Sequence, residues 1–139
     1  MDSSRPLTVI CADDDPDMVE LVRIAVEGEP DFELVGTTGE AAAVLDLVRR
    51  LHPDVVILDH VLDQHPAIGA HGRTPRGVAR PQTGLELVAS ARAAAPGATI
   101  VIFTGRHGLR SAAQNVGADV YVEKPALSEL WPTIREARA

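Results

Sequence analysis

The chain has 139 residues, 45% of them hydrophobic and 24% charged, which suits one domain spanning 1–139 with a real core. Thirteen basic residues against twenty acidic ones leave a formal net charge of −7. That balance argues against general nucleic-acid or anionic-membrane binding and leaves cations and basic partner surfaces as the easier ligands. Only 3% of the residues are aromatic, so Val, Leu, Ile and Ala must build the core. The single cysteine, Cys11, lies in an apolar run and cannot form an internal disulfide, which fits a reducing, cytoplasmic setting and a buried thiol. No apolar run approaches the roughly 20 residues that span a bilayer, and Met1 to Pro6 has no secretory pattern.

Leu7 to Ala12 reads as a first strand that runs into Asp13, Asp14 and Asp15. Asp15 before Pro16 can cap a helix whose apolar Met18, Val22, Ala25 and Val26 recur at helical spacing, with Gly28 as its stop. Acids at a helix N-terminus account for Asp15 and Asp17 but less well for Asp13 and Asp14. A second strand, Phe32 to Gly36, leads into Thr37 and Glu40 at capping-box spacing. Ala41, Val44, Leu45, Val48 and Leu51 then mark a second helix. Pro53 to Asp59 is a short run of branched aliphatics closed by a carboxylate, which predicts a strand buried on both faces and central in a parallel sheet. The βαβαβ order implies parallel pairing.

From about Asp63 to Gln82 the periodicity is lost among Pro66, Pro75, Pro81, Gly69, Gly72 and Gly77. A loop this long is uncommon in a compact domain and is usually functional or mobile. It carries His65 and His71 beside nearby His60, and also Arg73, Arg76 and Arg80. The histidine spacing does not fit a helical ligand pair and no cysteine assists, so a zinc site is not expected there. The arginines read as a solvated face. Thr83 and Glu86 form another capping-box spacing, with Leu85, Val88 and Ala89 on the expected inner face. Ala98 to Phe103 reads as a fourth strand followed by Thr104, and a weak short helix is expected from about His107 to Val116 because it contains Gly108. Asp119 to Val122 is the fifth strand, ending at Glu123, Lys124 and Pro125. A last helix is expected from about Ser128, with Pro132 kinking it or delaying its start.

Strand ends therefore carry Asp13 and Asp14, Asp59, Thr104 and Lys124. In a parallel sheet those ends share one edge, where ligands bind in open α/β folds. Three close carboxylates cannot all stay ionised without a counter-charge. Oxygen donors at this density suit a hard divalent cation such as Mg²⁺. A lysine and a threonine hydroxyl can meet phosphoryl oxygens, and a carboxylate that forms an aspartyl phosphate is an established covalent nucleophile. Asp59 is the candidate phosphoacceptor. A phosphatase proceeding through such an intermediate would usually place a second acid two residues beyond the nucleophile, where this chain has Val61.

Val-Ile-Cys-Ala-Asp-Asp-Asp-Pro, Pro-Asp-Val-Val-Ile-Leu-Asp, Ile-Val-Ile-Phe-Thr-Gly and Gly-Ala-Asp-Val-Tyr-Val-Glu-Lys-Pro follow one another in an order that resembles the receiver domains of two-component response regulators. The resemblance covers Leu7 to about Ala137 apart from the loop. It implies a flavodoxin-like, doubly wound, five-stranded parallel sheet of order 2-1-3-4-5 with helices on both faces. It further implies that Asp59 is phosphorylated from the phosphohistidine of a sensor histidine kinase or phosphotransfer protein, or from a small acyl phosphate. Asp14, Asp59 and the backbone carbonyl of Val61 would coordinate Mg²⁺, with Asp13 holding a water on it. Lys124 would pair with the phosphoryl group, and Thr104 would swing toward it and let Tyr121 turn inward. The face made by the fourth helix, fifth strand and fifth helix would then be remodelled for a downstream protein or output domain, a homodimer being compatible.

On that reading the chain is a phosphoacceptor that assists its own phosphorylation and dephosphorylation, not an enzyme in the usual sense. It binds neither nucleic acid nor membrane directly. The alternative is a phosphorylation-independent interaction module acting through the long loop. The chain departs from the family pattern at Asp63, where proline is common, in the length of the segment before Gly84, at Ala126, where an aromatic is usual, and at Pro132. Trp131 is expected to be packing.

Overall fold

A computed structural model describes residues 5–62 and 83–139. In chain order its elements are β1 (Leu7–Ala12), α1 (Pro16–Glu27), β2 (Phe32–Thr38), α2 (Ala41–Leu51) and β3 (Val55–Leu58), then α3 (Gly84–Ala94), β4 (Thr99–Thr104), α4 (Arg110–Asn115), β5 (Val120–Glu123) and α5 (Leu127–Arg138). The five strands pair in parallel in the order β2-β1-β3-β4-β5, as expected for a doubly wound flavodoxin-like sheet. The expectations for Asp63, His65, His71, Arg73, Arg76, Arg80 and the rest of 63–82 fall outside the described residues.

Strand alternation divides the core between the two faces of the sheet. Ile10, Ala12, Val56, Leu58, Ile100, Ile102 and Tyr121 pack against α2, α3 and α4. Val9, Cys11, Val55, Ile57, Val101 and Phe103 pack against α1 and α5. β3 and β4 are buried along their whole length, which explains why they read as continuous apolar runs. Each fully buried aliphatic contributes about 2 kcal/mol by leaving water. Trp131 is packing, its ring 5.1 Å from that of Phe32. Cys11 is buried, and burial together with the nearby Asp13 charge pushes its thiol up to about 12. Among the described residues no helix is long and apolar enough to cross a membrane.

Local signals held where tertiary structure agreed with them. Asp15 caps α1 by accepting from the Asp17 amide, and Thr83 and Glu86 form a complete capping box at α3. Thr37 and Glu40 do not, because β2 runs on to Thr38 and leaves Thr37 inside the strand. Glu40 takes the cap position of α2 without a side-chain bond, and the Thr38 hydroxyl accepts from its amide. On α3 the inward positions are Leu87, Val88 and Ala91; Ala89 is exposed. α4 begins at Arg110, later than expected, since Gly108 adopts φ +83° and cannot lie in the helix. α5 begins at Leu127 and continues through Pro132, with the Thr133 hydroxyl donating to the Glu129 carbonyl at 2.7 Å.

Candidate functional site

Two neighbouring strands, β1 and β3, deliver the acids, and the end of β5 delivers the lysine. The Asp59 amide donates to the Ala12 carbonyl at 2.8 Å, extending the β1–β3 ladder by one residue, so the carboxylate leaves a rigid strand end. The Asp13 amide bonds the Thr38 carbonyl at 2.9 Å, and the Lys124 amide bonds the Thr104 carbonyl at 2.7 Å. Asp13, Asp59 and Thr104 are only 3%, 6% and 1% exposed, although polar groups of this kind are mostly found at surfaces. Oxygens of Asp13, Asp14 and Asp59 lie within 4.8 Å of one another. Among the described residues this is the one such cluster, and His60 is not in it.

Lys124 reaches across from β5, its Nζ 2.6 Å from Asp13 Oδ2 and 3.4 Å from Asp59 Oδ2. Burial alone would lower the lysine's pKa, but the Asp13 hydrogen bond and the charges of Asp13 and Asp59 outweigh it and raise it. The ammonium is therefore fixed as a cation. Burial pushes the Asp13 carboxyl up to about 6, against the pull of Lys124 and of the Asp15 amide, which donates to Asp13 Oδ1 at 2.9 Å. Lys124 is shared between Asp13 and Asp59, and a divalent cation would offset further negative charge where the three carboxylates meet. The all-oxygen donor set suits Mg²⁺ or Ca²⁺ rather than a softer metal.

Around this centre the backbone is tightly set. The Gly84 amide donates to the His60 carbonyl at 2.9 Å, and a Cβ on Gly84 would lie 2.1 Å from the Asp59 carbonyl oxygen. Only glycine permits that approach. It ties the start of α3 to the turn after β3, which holds His60 and Val61. The half-buried His60 ring has its pKa lowered by burial and by the Arg106 charge. The Thr104 hydroxyl accepts from the Arg106 amide at 3.1 Å. Tyr121 is buried, its hydroxyl donating to Glu123 Oε2 at 2.8 Å and accepting from the Leu109 amide at 3.1 Å. Burial, then the Glu123 bond, raises the phenol pKa.

The five strand-end residues singled out by the sequence thus share one sheet edge, with Asp13, Asp14, Asp59 and Lys124 in one cluster and Thr104 beside them. The contact of Gly84 with Asp59 and the role of Glu123 as an acceptor for several groups have no local signal, because both depend on segments that meet only in the folded chain.

The fold is the flavodoxin-like one of response regulator receiver domains, and the chain is similar in sequence to response regulators. No family model matches the chain. It is 28% identical, over 87% of its length and 44% of the relative's, to a probable transcriptional regulatory protein, TcrX, of Mycobacterium tuberculosis. A two-component response regulator of the LuxR family from Aurantimonas sp. SI85-9A1 superposes with a TM-score of 0.76 at 25% identity, covering 94% of this chain and 84% of that one. A response regulator from Burkholderia pseudomallei, solved with a phosphorylated aspartic acid, a calcium ion and citrate, has a TM-score of 0.72 at 18% identity. It covers 92% of this chain and 66% of that one, and shares the fold. The chain spans less than half the length of the curated relatives it matches.

Proposed function

We propose that this chain is a phosphorylation-dependent signalling switch whose residues 1–139 form one receiver domain and whose phosphoacceptor is Asp59. The observation that carries the reading is the position of Lys124, whose Nζ lies within reach of both Asp13 and Asp59 while three carboxylates converge beside it. A carboxylate oxygen of Asp59 attacks phosphorus in the donor, a phosphohistidine or a small acyl phosphate. The O–P bond forms as the bond to the imidazole nitrogen or acyl oxygen breaks and that group departs with its electron pair. Lys124 holds a phosphoryl oxygen by its charge, and the Thr104 hydroxyl donates to another. Asp13, Asp14, Asp59 and the Val61 carbonyl would hold Mg²⁺, which when bound neutralises charge on the phosphoryl oxygens.

Movement of Thr104 and Tyr121 would then remodel the α4–β5–α5 face that meets a downstream protein or output domain. The phosphoryl donor is a sensor histidine kinase or phosphotransfer protein of the cytoplasm. The chain is consumed as an acceptor and returned by hydrolysis, so it is a switch rather than an enzyme.

Intact mass after incubation with acetyl phosphate and Mg²⁺ tests this. The native protein gains one hydroxylamine-labile phosphoryl group, and the Asp59→Asn variant gains none. A folded native protein that binds Mg²⁺ but gains no adduct would overturn the reading in favour of a phosphorylation-independent interaction module.

A further inference from the structure

Glu123 is the last residue of β5 and immediately precedes Lys124, so the two side chains leave the strand end on opposite sides. Lys124 faces the acids. Glu123 faces the segment between β4 and α4, where its Oε2 accepts from the Gly108 amide at 3.2 Å as well as from Tyr121, and its Oε1 lies 2.9 Å from His107 Nδ1. The Leu109 amide donates to the Tyr121 hydroxyl. Three consecutive residues, 107 to 109, are thus tied to two β5 side chains that share a face of the strand. Gly108 makes this possible, since its φ of +83° turns the amide toward the carboxylate at little cost.

The same segment is tethered at its other end through the Arg106 amide, which bonds the Thr104 hydroxyl. Only Gly105 separates Thr104 from Arg106. For the Thr104 hydroxyl to turn toward a phosphoryl group on Asp59, the Arg106 amide must lose its acceptor, and the short segment cannot shift while 107 to 109 remain fixed. The Tyr121 hydroxyl, the Gly108 amide and His107 also hold the Glu123 carboxyl below its usual pKa, so the acceptor is ionised at neutral pH and its hydrogen bonds are charge-assisted.

We propose that Glu123 is a positioning residue of the switch: its carboxylate clamps 107–109 against β5, keeps the Thr104 hydroxyl in its resting position, and must release this segment when Asp59 is phosphorylated. The inference rests on the phosphoacceptor reading above and adds to it a restraining group outside the acid site. Because Glu123 and Lys124 are adjacent, a phosphoryl group that draws Lys124 also shifts the strand end from which the clamp extends. The clamp sets the balance between the resting and phosphorylated conformations, and weakening it moves the unphosphorylated population toward the active one.

The test compares native protein with Glu123→Gln, which keeps the side chain's shape and removes its charge. A second variant, His107→Ala, removes one exposed contact and leaves the fold intact. Hydrogen exchange of the Gly108 and Leu109 amides is measured without phosphate. Adduct formation with acetyl phosphate and the affinity for Mg²⁺ are measured alongside. In Glu123→Gln the two amides exchange about fivefold faster, the factor that one net hydrogen bond is worth. The adduct forms faster by a similar factor, while Mg²⁺ affinity stays as in the native protein. His107→Ala moves exchange and phosphorylation in the same direction by less. Unchanged exchange overturns the clamp, and so does faster exchange with an unchanged phosphorylation rate. A native protein that takes no phosphate overturns the phosphoacceptor reading instead, and the exchange rates still decide whether Glu123 holds the segment.

Discussion

At the amino-terminal edge of the sheet, Asp54 Oδ2 accepts from the Thr8 amide at 2.9 Å and the Thr8 hydroxyl at 3.2 Å, with Arg5 3.5 Å away. Close by, Asp119 Oδ2 takes the Ile100 amide and the Arg92 guanidinium, while Asp31 is held by Arg135. At the carboxyl-terminal edge, oxygens of Asp13, Asp14 and Asp59 lie within 4.8 Å of one another, and Lys124 pairs with Asp13 and Asp59. Both edges are rich in aspartate. At the first, Asp54 and Asp119 are each matched by a backbone amide and an arginine and staple one strand to the next, while Asp31 pins α5 through Arg135. At the second, Asp13 and Asp59 are buried and draw on the same lysine, an arrangement that costs stability until a further positive charge joins it.

The sharpest way to break the comparison is through backbone contacts. Gly84→Ala drives a methyl into the Asp59 carbonyl at 2.1 Å and should cost about 3 kcal/mol in denaturant unfolding. Gly97→Ala at the opposite edge meets nothing within 4 Å and should stay within about 0.5 kcal/mol. Equal effects would show that the acid edge is no more tightly set than the other.

Removing acids should separate the edges next. Asp54→Ala leaves the Thr8 amide and hydroxyl without their acceptor and should cost about 2 kcal/mol, with phosphorylation by acetyl phosphate unchanged. Asp59→Asn should raise the melting temperature in metal-free buffer, because it removes a buried charge and leaves Lys124 paired with Asp13 at 2.6 Å. It should also reduce the stabilisation that Mg²⁺ gives the native protein. A lowered melting temperature for Asp59→Asn would mean that the acids at this edge are compensated after all.

The two edges should also respond oppositely to pH in the presence of a chelator. The Asp13 carboxyl is raised to about 6 in the folded protein, so between its unfolded value of about 4 and 6 the folded state holds the extra proton. Stability from this group therefore falls as pH rises through that interval, and Asp13→Asn should flatten the fall. The Asp31 carboxyl is lowered, first by its Arg135 hydrogen bond. Its contribution is complete above the ordinary carboxylate range and is lost as pH drops through the folded value, a smaller effect because the pair is solvent-exposed. Thermal melts of the native protein, Asp13→Asn and Asp31→Asn between pH 3 and 7 would show both signs.

Much of this was legible in the sequence. Val55–Leu58 and Thr99–Thr104 announced themselves as strands because burial on both faces leaves no polar position to interrupt the run. Asp13, Asp59, Thr104 and Lys124 could be gathered at one edge because parallel topology puts every strand end on the same side. What escaped was decided by long-range contact. Thr37 and Glu40 have a capping-box spacing, but pairing with β1 carries β2 on to Thr38 and removes the cap. Ala89 sits at a plausible helical position, yet the inward direction of α3 is fixed by Gly84 against Asp59, which selects Leu87 and Ala91 instead. The part played by Glu123 depends on the segment carrying Gly108 folding against it, a contact that no local spacing announces.

The division of the core between two faces also separates the molecule's optical reporters. Its one tryptophan, Trp131, packs with Phe32 among the residues between the sheet and α1 and α5, whereas its one tyrosine, Tyr121, belongs to the opposite face and is bonded to Glu123 and Leu109. Indole emission therefore follows global unfolding from a position remote from the β4–α4 segment, while phenol absorbance follows rearrangement of that segment. Recorded on one sample, the two signals distinguish a protein that has switched from one that has begun to melt.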